Sequence, residues 1–188
     1  MKRIAFTLVI STLLFSCTHI VTSNYPGKEK STLPKVWKGE YTIEYPAFLE
    51  MFMGNDKKVN KAKITSKGIE WVISGESSVY TTSDSLKYSQ LNGENYLSLH
   101  NSHGQYTVFK VKAVSNGLDL YGLTTEAEIE KDKLENYFKK VEQLEVGDEN
   151  DETGIRLFQV ELDDEKLDAF FKSELASKEP IKLRRARK

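Results

Sequence analysis

Three histidines, one cysteine and one dense acidic run are the residues of this chain whose types and spacing invite chemistry. His100 and His103 stand at i, i+3 around Asn101-Ser102-His103-Gly104, a turn sequence. Two imidazoles on a turn could begin a metal site, but zinc takes three or four ligands. The third histidine, His19, lies far away in the sequence, so no metal site is expected. The run Asp148-Glu149-Asn150-Asp151-Glu152 has the acidity of a calcium loop. An EF-hand loop needs Gly at its sixth position and Glu at its twelfth. Counted from Asp148, those positions hold Thr153 and Gln159, so a solvated acidic loop is expected. There is no Gly-rich phosphate loop, G-x-S-x-G elbow, S-x-x-K or H-E-x-x-H. No catalytic residue and no cofactor are assigned, and a non-enzymatic role is expected.

Cys17 is the sole cysteine, so an internal disulfide and a four-cysteine zinc site are both excluded. Its setting is informative. Lys2 and Arg3 precede an apolar run from Ile4 to Phe15, and the small residue Ser16 follows. That order is a secretory signal peptide. The run is shorter than the roughly 20 apolar residues that a spanning helix needs. An unpaired thiol is awkward in the oxidising space beyond the membrane. The stretch Leu14-Phe15-Ser16-Cys17 resembles the lipobox of bacterial lipoproteins. The resemblance implies cleavage before Cys17, a diacylglycerol on its sulfur and an acyl chain, such as palmitate, on the new amino group. Each buried CH₂ contributes about 0.8 kcal/mol, and stable anchoring takes two chains. The lipoprotein resemblance also bears on address. Thr18 lacks the Asp that marks inner-membrane retention in some lineages, and no acid occurs before Glu29. It therefore implies an outer-membrane lipoprotein facing the periplasm.

The elements that would carry these residues fall into four segments. Residues 1–16 are the signal peptide. Residues 17–33 are the lipidated cysteine and a Ser-, Thr- and charge-rich stretch that reads as a flexible tether, about 20–25 Å in r.m.s. span. Residues 34–176 form a single globular domain, and 177–188 a basic tail. From Trp37 to Leu123 the hydrophobic period is two, the mark of strands with one buried face. Asn92-Gly93 and Asn116-Gly117 are hairpin turns, and Lys67-Gly68 separates Ala62 and Ile64 from Ile69, Trp71 and Ile73. After Thr124 the spacing changes. Leu134, Tyr137, Phe138, Val141 and Leu144 recur at three and four residues, which predicts a long amphipathic helix behind a Thr125–Glu128 capping box. The run from Ile155 to Leu162 predicts a strand. Asp163 is an N-cap for a second helix, stapled by Leu162 and Leu167, with Leu167, Phe170, Phe171 and Leu175 as its buried stripe. The fold class expected is α+β: an antiparallel, curved or partly closed sheet, then two amphipathic helices with a strand between them. The Trp37-Lys38-Gly39-Glu40-Tyr41 opening strand, with its succession of hairpins, resembles lipocalin-like bacterial lipoprotein domains.

Charge narrows the partners. Lys plus Arg number 27 against 28 Asp plus Glu, a balance that does not suit nucleic acid. The membrane, through Cys17, and an envelope protein are the partners expected. Residues 126–165 are strongly acidic, and Lys182, Arg184, Arg185, Arg187 and Lys188 make the C-terminus basic. Such runs read as interaction surfaces or as solvated segments. Trp37, Tyr41, Tyr45, Trp71, Tyr96, Tyr106 and Phe109 are expected in the core, or else around an apolar cavity. The chain is thus read as a membrane-anchored envelope lipoprotein acting as a non-enzymatic binding or protein-interaction module. The alternatives are a lipocalin-like carrier of a small apolar ligand, and an enzyme without a recognisable motif.

Overall fold

A computed structural model describes residues 18–46, 60–73, 75–101, 103–125, 129–144 and 157–186. The strands are β1 (His19–Thr22), β2 (Lys28–Lys30), β3 (Gly39–Glu44), β4 (Lys61–Ile64), β5 (Gly68–Ile73), β6 (Glu76–Thr81), β7 (Leu86–Leu91), β8 (Glu94–His100), β9 (Tyr106–Val114), β10 (Gly117–Gly122), β11 (Phe138–Leu144), β12 (Leu157–Leu162) and β13 (Ile181–Arg185). A 3₁₀ turn covers Lys35–Trp37, and the helices are α1 (Lys131–Glu135) and α2 (Leu167–Lys172).

One hydrogen-bonded path, β2-β7-β8-β9-β10-β13-β3-β4-β5-β6, is antiparallel throughout and curls into a half-barrel. The predicted hairpins are here. Asn92 (φ 51°) and Gly93 (φ 82°) turn β7 into β8, since both positions need positive φ in the tightest hairpins. The alternating side chains that face inward are Tyr41, Ile43, Ala62, Ile64, Ile69, Leu97, Val111, Leu118, Leu120 and Leu183, and they form one core. Trp37, on the 3₁₀ turn, packs edge-on against Tyr88 with ring centroids 5.3 Å apart.

The other face of β8 and β9 carries a second core. There β1 branches from β9 at Thr22–Tyr106 and continues into β12 and β11. Ile20, Val108, Tyr96, Phe138, Val141, Phe158, Val160, Leu167 and Phe170 fill the space between. Among the described strands, β1 and β12 are the parallel pair, in register from His19–Leu157 to Thr22–Val160.

Four expectations are corrected by this architecture. The α+β label holds only coarsely: the described residues are β-rich, with two short helices among them in place of a helical layer. The predicted long helix is only α1 over Lys131–Glu135, and the segment after it is strand β11. The cause is a β-bulge between Phe138 and Lys140, where the register with β12 slips. One extra residue puts Phe138 and Val141 on the same face of a strand, which imitates helical spacing. The predicted flexible tether contains β1 and β2, and all of His19–Thr22 is buried. A four-residue apolar strand is too short to show a period, and that hid it. The predicted basic tail contains β13, between β10 and β3, with Leu183 at 0% exposure. Its bases are met by acids across the strands. Arg184 Nη1 lies 2.7 Å from Asp119 Oδ1, and Lys182 sits opposite Asp119 and Glu44.

Candidate functional site

Cys17, residues 1–16 and the acidic run Asp148–Glu152 lie outside the described residues, as do residues 47–59. The chain is described from the residue after Cys17 onward, and that junction is tightly built. Thr18 is 1% exposed. Its carbonyl oxygen accepts the Thr125 N–H at 3.2 Å, and its Oγ1 accepts the Ile129 N–H at 3.0 Å. His19 bridges to Thr124 on one side and pairs with Leu157 on the other. Thr125 bridges to Ala176, and the Ser177 N–H bonds the Thr124 carbonyl at 2.9 Å. Residues 124–125, 129 and 176–177, from three separate segments, thus form a collar around the start of β1. His19 is almost fully buried, and its Nδ1 has no hydrogen-bond partner. Burial without a partner penalises the imidazolium and brings its pKa down to about 4.

A second polar centre holds α2 to the sheet. Lys110 Nζ lies 2.9 Å from Asp168 Oδ1 and 3.2 Å from Glu94 Oε1, with the Phe171 ring centroid 5.9 Å away. Burial opposes the lysine charge, but hydrogen bonds to Asp168 and Glu94 outweigh it and raise the Lys110 pKa. Hydrogen bonds from Lys172 and then Lys110 hold the Asp168 carboxyl below its ordinary range. The helix starts later than its sequence implies: its N-cap is Lys166, with no side-chain cap, and Asp163 Oδ1 instead accepts the Glu165 N–H at 3.1 Å in the turn before it, while Leu162 and Leu167 are both buried.

The aromatic residues expected in the core divide by depth. Trp37, Tyr41 and Tyr96 are buried, whereas Tyr45, Trp71, Tyr106 and Phe109 are partly buried against the two cores. The Tyr45 hydroxyl and the Trp71 indole N–H are buried without partners, and burial pushes the Tyr45 pKa up to about 12. A separate cleft of about 360 Å³ is lined by Asn24, Tyr25, Lys139, Asp163, Asp164 and Glu165. Its carboxylates serve the backbone, since Asp164 accepts the Gly27 N–H through both oxygens at 3.3 and 3.2 Å.

The histidines do not converge. The ring of His100 packs on Tyr106 at 4.9 Å, the His103 N–H bonds Asn101 Oδ1 at 2.9 Å, and His19 lies in β1. Among the described residues, no group of three or more His, Cys, Asp or Glu side chains could hold a metal ion, and no helix is long and apolar enough to cross a membrane. Thr124 and Ser177 carry no motif in the sequence, and the capping-box pattern at Thr125 and the position of Thr18 after Cys17 give no sign of the bonds that join them here. The chain matches no protein-family model, no curated protein and no solved structure.

Proposed function

We propose that the protein is a bacterial envelope lipoprotein, anchored through lipidated Cys17, that acts as a non-enzymatic binding module through its outer surface. The signal-peptide order and Leu14-Phe15-Ser16-Cys17 support the anchor. The observation that carries the choice of a binding module over a carrier is the filled curl. Its inward positions are occupied by Leu97, Val111, Leu118, Leu120 and Leu183, and by Trp37 against Tyr88. A carrier would keep apolar volume for its ligand; here the chain's own side chains take it. The outer membrane, with the body in the periplasm, is the address proposed with it, on the residues that follow Cys17.

One observation favours the carrier as the second reading. Tyr45 and Trp71 present a buried hydroxyl and a buried indole N–H with no partner, groups that a ligand's polar end could satisfy. Three measurements test the pair. Intact mass of the protein extracted from native membranes should show a chain beginning at Cys17 with acyl mass added. Native mass spectrometry of the same material should show no retained small molecule, while crosslinking on intact envelopes should capture a protein partner. A lipid or other apolar ligand retained in stoichiometric amount would favour the carrier instead.

A further inference from the structure

The collar around Thr18 has a consequence if Cys17 carries the lipid, and this inference rests on that anchor. We propose that the body is held flush against the bilayer in one orientation. The collar of residues 124–125, 129 and 176–177, with the α1 residues that follow Ile129, would lie on the phospholipid headgroups, and the β6 side of the curl would point away from them. Adjacent Cα atoms are about 3.8 Å apart, so one peptide link separates the acylated residue from Thr18. A flexible tether would instead have allowed about 20–25 Å.

The leash cannot lengthen cheaply. Thr18 is hydrogen-bonded on both its carbonyl and its hydroxyl, and Ile20, at 0% exposure, sits in the second core. Paying out even four more residues would strip β1 from β12 over its whole register, from His19–Leu157 to Thr22–Val160. It would also leave Ile20 and Val21 in water. The exposed side chains that flank the collar in sequence carry both signs: Lys131, Lys133 and Lys178 with Asp132 and Glu179. A mixed, wettable surface of this kind suits the headgroup layer and not the hydrocarbon. At the other end of the strand path, β6 is an edge strand with Val79 63% exposed.

The test couples the mature chain to a maleimide phospholipid through the Cys17 sulfur, in vesicles of phosphatidylethanolamine and phosphatidylglycerol containing nitroxide-headgroup lipid. A fluorophore is attached through azidophenylalanine placed at Lys131 or at Val79. Quenching should be several-fold stronger at 131 than at 79. A Gly-Ser spacer of about ten residues between Cys17 and Thr18, spanning about 16–19 Å, should remove most of that difference. Equal quenching at the two positions without the spacer, or stronger quenching at 79, would overturn the proposal. Coupling is chemical, so this outcome is independent of whether cells acylate Cys17, which the intact mass decides separately.

Discussion

His19 makes the start of β1 a pH-sensitive component of stability. Its folded pKa is depressed from 6.5 to about 4, so the unfolded chain takes up a proton first as pH falls. Its favourable contribution is therefore complete above about pH 6.5 and declines through the window down to pH 4, by about 3 kcal/mol in all. Denaturant melts at pH 7 and pH 4 should show His19→Leu losing about that much less than the parent over the same interval. An unchanged difference between the two pH values would mean that the imidazole is charged in the folded state. Lys110 offers a second test at this scale. Lys110→Met removes the cation shared by Glu94 and Asp168, and should cost about 1–3 kcal/mol, the scale of hydrogen bonds to charged groups. Melting of Lys110→Met beside Lys172→Met, whose lysine lies at the surface, should place the larger loss at Lys110.

At the scale of the element, β13 is the seam between β10 and β3. Leu183→Ala should cost about 2–5 kcal/mol, as truncation of a fully buried leucine does. Gly117 lets this seam close. Its φ is 153°, and a Cβ there would overlap the carbonyl oxygen of Leu183. Gly117→Ala should therefore separate β10 from β13, whereas Gly93→Ala, with open space at its turn, should cost only about 1–2 kcal/mol of left-handed strain. Thermal melts of the two variants give the comparison, and equal losses would contradict it. The hairpins β4-β5, β7-β8 and β9-β10 were legible because a Gly-containing turn and a period of two act within a few residues of each other. Helix α2 was legible only in part: the spacing of Leu167 and Phe170 marks its buried stripe, but its N-cap is Lys166 and not Asp163. The rest was hidden by geometry that no local pattern encodes. The bulge in β11 converts a strand's spacing into a helix's. β13 reads as a charged tail because the acids that face it, Asp119 and Glu44, are distant in sequence. The collar around Thr18 is assembled from three distant segments mainly by backbone bonds, with the Thr18 hydroxyl holding Ile129, and backbone bonds leave no mark on composition.

At the scale of the whole molecule, both ends of the described chain are structural. β1 supplies Ile20 to one core, and β13 supplies Leu183 to the other. A fragment of residues 34–176 lacks both strands and should fail to melt cooperatively, while residues 18–186 should unfold in one transition. Circular dichroism and calorimetry on the two fragments decide the point, and a sharp melt from the shorter one would count against it. The position of β13 also sets an order of events. The curl from β2 to β10 and the β3-β4-β5-β6 sheet are joined along the path through residues 181–185. Until β13 docks, the facing edges of β10 and β3 stay unpaired, and the inner core lacks Leu183. β13 therefore acts as a latch: both strands it joins precede it in the chain, yet the sheet closes between them only when residues 181–185 are in place.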